Sequence, residues 1–180
     1  MSEKLWFQQS IEGLFVRGVG ELMTPALRDQ LRALGLELDR LQPGYPADLV
    51  SKSIRVTAAE LFPTLPEPEA LREIGALFMR GYTETLIGRA MVQLMRVLGP
   101  RRTLERMQRN FRTGANYIET RFRSLGPGRV ELWFNDVSGI PDFYAGVMTA
   151  GGRQTGARNV RVACSPATDA SCTFLVEWDE

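Results

Sequence analysis

The spacing of apolar residues changes near Gly114, and this change constrains the fold more than any other feature of the sequence. Before Gly114, apolar residues recur at the spacing of helices that bury one face. From Ala115 onward they alternate with polar residues, as in strands that bury one face. The sequence therefore predicts an α+β fold, in which an N-terminal helical layer packs on a C-terminal antiparallel sheet.

Capping residues, prolines and periodicity set the predicted helices of the helical part, about residues 1–114. Thr24 precedes a proline that suits the first helical position, and Gly35 ends that helix. Glycines within the third predicted helix indicate that it breaks near Gly81, or that another backbone or a ligand comes close there. Residues 11–18 mix β-branched and aromatic residues with glycine and predict a short extended arm. The predicted helices span 25–34, 47–62, 67–98 and 101–112.

The sheet part, about residues 115–180, predicts the order strand, strand, helix, strand, strand. A Gly-Pro-Gly turn at 126–128 joins two alternating strands into a hairpin. Ser138 is expected to cap a helix over about 140–150, and strands at 159–164 and 172–178 close the chain. The four strands form one antiparallel sheet. A length of 180 residues suits one core, so we expect residues 1–180 to form a single domain.

The chain contains no histidine, which removes imidazole from every catalytic or metal-binding scheme. Phosphate-binding loops, nucleophile elbows and the usual metalloprotease helix are missing as motifs. We therefore predict a protein that is not an enzyme, with a carboxylate and arginine enzyme as a less favoured alternative. We also predict no metal site and no cofactor, because histidine-ligated haem is excluded.

Two cysteines, Cys164 and Cys172, lie eight positions apart near the C-terminus. Buried free thiols are the favoured interpretation, while a cross-strand pair and a redox-sensitive thiol stay open. The N-terminus lacks the features of a signal peptide, and no apolar segment approaches the roughly 18 to 20 residues of a membrane helix. These observations predict a cytoplasmic protein without a membrane span.

The formal net charge of +1 conceals an uneven distribution. Residues 89–130 contain ten arginines and two glutamates, which gives this segment a net charge of +8, and the remaining residues carry a net charge of −7. Pairing of this basic block with the acidic flanks is the first interpretation. An anionic ligand or partner surface is the second, and nucleic acid is the least favoured.

Two groups of residues are candidates for a ligand site. At the helix-to-sheet junction, clustered arginines and their neighbours favour a structural corner that caps the helix and pairs with Glu119, with an anion site as the alternative. For an aromatic and methionine set, ordinary core is the favoured interpretation, with the lining of an apolar cavity as the alternative. The candidate residues are Arg109, Arg112, Asn116 and Tyr117 at the junction, and Phe78, Tyr82, Met91, Met95, Tyr117 and Trp133 around the cavity.

Recurring sequence blocks across nearly the whole chain resemble a paralogous family of myxobacterial proteins to which no reaction is assigned. Taken together they are specific, although each block alone is weak. The blocks are Gly13–Gly18, Gly35–Asp39, Leu86–Ala90, Leu98–Arg102, Phe111–Gly114 with Asn116–Tyr117, and Gly126–Trp133.

The C-terminal end, two helix-linked strand pairs closing on Phe174–Trp178, shows a more distant similarity. It resembles the fold shared by haem-NO-binding sensors, the vinyl-four-reductase domain and subunits of the TRAPP transport complex. That resemblance implies a sensor or assembly module with an apolar pocket, often dimeric. The chain departs from it in having no histidine for haem and only two cysteines for metal, so no site residue carries over.

These observations lead to two functional hypotheses. The first is a non-enzymatic cytoplasmic sensor or regulatory module that binds a small apolar or amphiphilic ligand between helices and sheet, with junction arginines holding an anionic end. The alternative is a protein-interaction or scaffold domain, binding a second copy or an acidic partner, with no ligand.

Overall fold

The computed structural model describes residues 3–166, 168 and 170–179. Short strands and helical turns open the chain, longer helices come next, and a sheet interrupted by one helix closes it. The elements are β1 (Leu5–Phe7), α1 (Gln8–Ile11), a π-helix (Glu12–Gly18), a 3₁₀ turn (Gly20–Leu22), α2 (Pro25–Leu34), β2 (Gly44–Pro46), α3 (Ala47–Leu61), α4 (Glu67–Tyr82), α5 (Leu86–Glu105), α6 (Met107–Arg112), β3 (Thr120–Gly126), β4 (Arg129–Phe134), α7 (Pro141–Gln154), β5 (Arg158–Pro166) and β6 (Cys172–Asp179).

The sheet has the strand order β3-β4-β6-β5, and every neighbouring pair is antiparallel. Alternate residues of β4 and β6 are buried, as the period-two pattern predicts, because one face of the sheet packs on helices. This architecture confirms the predicted α+β class and the strand, strand, helix, strand, strand order. One hydrophobic cluster draws on both the helical and the sheet part, and the single-domain organisation stays a prediction.

Helices α4 and α7 pack directly against each other, and glycine makes their close approach feasible. A Cβ on Gly75 of α4 would collide with the carbonyl oxygen of Phe143. A Cβ on Gly146 of α7 would collide with the carbonyl oxygen of Arg72. The two backbones therefore touch at points where any larger residue would force them apart.

The predicted extended arm over 11–18 is wrong, because this segment is α-helical and then π-helical. Gly18 lies against the carbonyl of Leu77, and Gly13 lies against Tyr82, so the glycines serve packing on α4. Tertiary contact thus overrides the local preference for extended backbone.

The predicted helix over 67–98 is two helices, and the break follows Tyr82, next to Gly81, as one of the two alternatives predicted. The chain leaves α4 after Tyr82, and the Thr85 side chain caps α5 by accepting a hydrogen bond from the Gly88 N–H at 2.9 Å. Gly81 stays inside α4 and faces the backbone of Gly13 and Gly18, which is the close backbone approach that the sequence offered as one alternative.

Three other local predictions can be compared with the structure. Gly99, the predicted helix end, has φ 72° and kinks α5 before its last residues. Ser138 does not cap α7, because it has φ 48° and its hydroxyl bonds Tyr117 instead. Cys164 and Cys172 form a disulfide, so the favoured interpretation of free thiols is wrong and the cross-strand pair is right.

None of the described helices is long and apolar enough to cross a lipid bilayer.

Candidate functional site

An apolar cavity of about 110 Å³ lies beneath α5. Its wall is built by one face of α5, by α4 and α7, by α6 and by β6. The part of α5 before its kink turns only a narrow stripe inward, with Gly88, Val92 and Met95 buried. Cavities of about 150 Å³ with apolar walls stay dry and take benzene-sized guests, so this volume suits a guest of similar or smaller size.

The residues of the cavity wall share an apolar or aromatic character, and no charged side chain is among the described residues that form it. Five methionines contribute to it. The larger wall residues are Trp6, Phe78, Met79, Tyr82, Met91, Met95, Met107, Phe111, Phe143, Tyr144, Met148 and Trp178.

Aromatic rings form one side of the wall, in contact with each other. Phe78 stacks on Tyr82 at 5.4 Å between ring centroids, and Phe143 meets Tyr144 edge-on at 5.4 Å. The Trp6 ring lies 5.9 Å from that of Phe143. Such contacts fix the rings, whereas the methionine side chains of α5 and α6 are unbranched and adapt to the shape of a neighbour. The cavity therefore has a rigid aromatic side and an adaptable methionine side.

Two tyrosines bring hydroxyl groups close to this wall. Tyr144 is fully buried, and its hydroxyl makes no hydrogen bond of ordinary geometry with a described residue, although, besides burial, the nearby Tyr117 hydroxyl also contributes to its raised pKa. Burial raises the pKa of Tyr144 well above its ordinary value and raises that of Tyr82, whose hydroxyl lies 3.3 Å from the Thr113 hydroxyl. Both groups stay neutral at physiological pH, so neither hydroxyl adds a charge to the wall.

Four of the predicted site residues come together in this wall. Phe78 and Tyr82 enter it from α4, and Met91 and Met95 enter it from α5. The helical spacing within each pair places both members on one face. The four members of the predicted cavity set that lie on helices α4 and α5 are therefore close together in the structure.

The other predicted site residues lie outside the cavity wall. Arg109 and Arg112 are exposed on α6. The Asn116 side chain ties down the N-terminal strand, because it accepts from the Leu5 N–H at 2.8 Å and donates to the Glu3 carbonyl at 2.9 Å. The arginines therefore do not reach a guest in the cavity, and Asn116 has a structural partner instead.

Tyr117 and Trp133 also take other positions. The Tyr117 hydroxyl accepts from the Trp6 indole N–H at 2.9 Å and bonds Ser138 at 2.8 Å. Burial raises its pKa. Trp133 lies on β4 with the Arg121 guanidinium 4.6 Å above its ring. Neither side chain lines the cavity, although Tyr117 holds the wall residue Trp6 in place through its hydroxyl.

Pairing of the basic block with the acidic flanks, the first interpretation of its charge, holds only in the sheet. Arg123 pairs with Glu131, and Arg129 pairs with Glu177 at 3.2 Å. The seven arginines between residues 86 and 112 make no ion pair with any residue that the structure describes. The cationic charge of α5 and α6 is therefore open to solvent or to a partner.

Sequence reasoning missed several wall residues. Trp6, Phe111, Phe143 and Tyr144 come from different parts of the chain, and each reads in the sequence as an ordinary core residue. Only the meeting of β1, α6 and α7 at one point makes them neighbours. A periodic pattern reports which face of an element is buried, but it does not report which buried faces leave space between them.

A family model described as "Protein of unknown function (DUF2378)" matches residues 4–179. The chain belongs to this DUF2378 family. The match confirms the resemblance to a paralogous family that the sequence blocks indicated, since it spans nearly the whole described chain. A comparison with curated proteins finds no match.

Solved structures of H-NOX domains share the fold of this DUF2378 protein over almost its full length. A variant H-NOX protein from S. oneidensis in the Fe(II) ligation state has a TM-score of 0.73 at 10% identity, covering 97% of each chain. An oxygen-binding H-NOX domain related to soluble guanylate cyclases has a TM-score of 0.69 at 13% identity, covering 97% of this chain and 96% of that one. A further solved structure, described by haem redox potential and protein-induced porphyrin distortion, has a TM-score of 0.62 at 14% identity, covering 97% of this chain and 96% of that one. The predicted distant similarity to haem-NO-binding domains is confirmed at the level of fold.

These neighbours correct the prediction of no cofactor. That prediction rested on the missing histidine, yet solved structures of the same fold are described with Fe(II) and with haem, so the missing histidine alone does not support it. The missing histidine removes one axial ligand only, because methionine and tyrosine also ligate haem iron. Both residue types line the cavity, in Met91, Met95 and Tyr144 among others.

The wall itself does not fit a haem in the arrangement described. Haem carries two carboxylates, and burying a carboxylate without a cationic or hydrogen-bonding partner is strongly unfavourable. No charged side chain is among the described wall residues, and about 110 Å³ is far less than a porphyrin occupies. We therefore derive no step of function through haem from these residues.

Proposed function

We propose that this protein is a sensor module in which α5 closes an apolar cavity over a small, uncharged, apolar ligand. The observation that supports this most strongly is the cavity of about 110 Å³ with no charged side chain among its described wall residues. The H-NOX fold supports the same class of function, because an oxygen-binding domain shares it.

The chemistry of the wall limits the ligand class. A charged or amphiphilic guest would need a partner for its ionic end, and Arg109 and Arg112 do not line the cavity. An uncharged apolar guest needs only the removal of its surface from water, which the aromatic and methionine wall provides. The proposed ligand is therefore narrower than the apolar or amphiphilic class that the sequence suggested.

Occupancy would act on α5, because this helix is the adaptable side of the wall. The part before its kink contacts the body through Gly88, Val92 and Met95, and the kink at Gly99 separates it from the C-terminal turns of the helix. A guest that binds better to one position of α5 than to another shifts the population toward that position. In this proposal the position of α5 is the signal, and no reaction occurs at the uncharged wall.

A pair of matched substitutions tests the proposal. Val92→Phe adds bulk on the inner face of α5 and fills the cavity, whereas Val97→Phe makes the same change at a side chain that is 83% exposed. Benzene or toluene titrated by calorimetry serves as the probe. We expect Val92→Phe to weaken probe binding by at least about tenfold because the volume is occupied, and Val97→Phe to leave it unchanged.

Equal probe binding in both variants, or none in the unsubstituted protein, would contradict the proposal. Adding haem to the same three proteins extends the test. A Soret band that sharpens and shifts from its position in free haem with the unsubstituted protein and Val97→Phe, but not with Val92→Phe, would show that the cavity expands to take haem. Native mass spectrometry of freshly purified protein would show whether a guest is retained.

A further inference from the structure

The outer face of α5 is apolar, which is unusual for a helix at the surface. Leu86 is 79% exposed and Val97 is 83% exposed, and Ile87 and Leu94 are also exposed on this helix. Helices of a globular protein ordinarily turn their apolar residues toward the core and their polar residues outward. Here the inward stripe of Gly88, Val92 and Met95 leaves a broad apolar arc facing away from the body.

Arginines flank this arc and carry a charge that the protein does not neutralise. Residues 86–112 hold seven arginines and one glutamate, a net charge of +6. Arg89 and Arg96 lie seven positions apart, near two helical turns, and so follow one edge of the arc. None of the seven arginines pairs with a carboxylate of the described residues, although arginines in the rest of the molecule do.

From this combination we infer that the outer face of α5 docks on an anionic lipid surface. A helix with aliphatic side chains on one arc and arginines along its edge is the composition of interfacial helices. The aliphatic side chains enter the boundary between headgroups and acyl chains, and the arginines bind the anionic headgroups. Peripheral docking needs no spanning helix, which agrees with the described helices.

Two other occupants fit the observations less well. In a dimer with a two-fold axis, residues 86–112 of one copy would face the same residues of the other copy. Two segments that each carry a net charge of +6 would then repel each other across the interface. An interface with another protein is ordinarily enriched in aromatic residues at its centre, whereas the exposed side chains here are aliphatic. The anionic lipid surface satisfies both the charge and the aliphatic composition.

Vesicle sedimentation with the full chain tests this inference. The probes are vesicles of phosphatidylcholine alone and of phosphatidylcholine with phosphatidylserine. We expect the affinity to rise at least about tenfold when phosphatidylserine is present, and to fall as salt is raised. Arg89→Gln with Arg96→Gln should weaken binding by about tenfold or more, because two headgroup contacts are lost.

Leu86→Ser with Val97→Ser tests the apolar part, and both side chains are too exposed to support the core. We expect this double variant to lose binding by about tenfold or more. The control is Arg28→Gln with Arg32→Gln on α2, which lowers the net charge equally at arginines that pair with Asp39 and Glu37, and it should leave binding unchanged.

Three outcomes would overturn the inference. Vesicle binding that does not depend on phosphatidylserine would contradict docking on an anionic surface. Binding that is weakened equally by the α2 control variant and by Arg89→Gln with Arg96→Gln would contradict a role for α5. Absence of vesicle binding, together with a dimer in light scattering that Leu86→Ser with Val97→Ser makes monomeric, shows a protein partner instead. The assay contains no cavity guest, so its result is independent of the proposed sensor function.

Discussion

Helices α4 and α5 are consecutive in the chain, yet they are held in different ways. Helix α4 lies between the π-helix and α7 and touches both through glycines, so backbone meets backbone. Helix α5 turns one stripe inward over a cavity and leaves aliphatic side chains and arginines outside. Helix α4 is therefore held by backbone contacts on two sides, whereas α5 is the helix that we propose meets a ligand on one face and a lipid surface on the other.

The largest expected effect comes from separating α4 and α7. Gly146→Ala should lower the free energy of unfolding by about 4 kcal/mol, because the new Cβ collides with the Arg72 carbonyl and the backbones must move apart. Gly151→Ala is the control on the same helix, since its Cβ would lie 3.6 Å from the Met79 methyl group in ordinary contact. That variant should be unchanged or more stable by up to about 1 kcal/mol. Chemical denaturation measures both, and equal losses would contradict the account.

Truncation of a side chain in each helix sharpens the comparison. Ile74→Ala on α4 should cost about 3 kcal/mol, because a fully buried side chain leaves a new hole in a filled core. Met95→Ala on α5 should cost about 1 to 2 kcal/mol, since its side chain already borders empty space. The same denaturation experiment compares them. If Met95→Ala lowered the free energy of unfolding as much as Ile74→Ala or more, α5 would be packed as tightly as α4, which would contradict the comparison.

Removing the disulfide tests whether the cavity beneath α5 depends on the β5–β6 edge of the sheet. Cys164→Ser with Cys172→Ser opens a loop with a sequence separation of 8 and should lower the free energy of unfolding by about 2 to 3 kcal/mol. Neither cysteine lines the cavity, so benzene affinity at a temperature where the variant is folded should not change. A loss of benzene affinity would mean that the β5–β6 edge supports the cavity wall.

The smallest expected effect concerns Tyr144. Burial raises its pKa, so above about pH 10 the unfolded chain loses this proton while the folded protein keeps it. The contribution of this group to stability is therefore present at lower pH and lost as pH rises, with a slope of up to about 1.4 kcal/mol per pH unit. Tyr144→Phe should reduce that alkaline loss in urea titrations from about pH 8 to 11, because the variant has no phenol to titrate at this position. An unchanged alkaline slope would contradict this.

The sequence predicted the elements whose signals are local. Thr24 and Gly35 bound α2 as expected, with Thr24 capping the helix and Gly35 at φ 101°. The alternation in β6 placed Phe174 and Val176 on the buried face. The prediction of an extended arm over residues 11–18 was wrong because the reason for the glycines there lies in a distant contact. Gly13 and Gly18 allow the π-helix to pack closely on α4.

The candidate site was predicted in part for the same reason. Phe78, Tyr82, Met91 and Met95 share helix faces that periodicity reveals, and they do line the cavity. Arg109 and Arg112 were expected to hold the anionic end of a ligand from the helix-to-sheet junction, but they are exposed on α6 and lie outside the cavity wall. Whether the faces of several elements meet with or without space between them is set by their packing, which a single sequence does not encode locally.

The methionine methyl groups give the most direct test of the cavity as a ligand site. The chain has seven methionines, and five of them, Met79, Met91, Met95, Met107 and Met148, line the cavity, whereas Met23 does not. Benzene titrated into protein labelled with ¹³C at the methionine methyls should shift the five cavity resonances together and leave that of Met23 in place. Resonances that all stay unchanged, or a Met23 shift equal to the others, would contradict the proposal that α5 closes over an apolar guest.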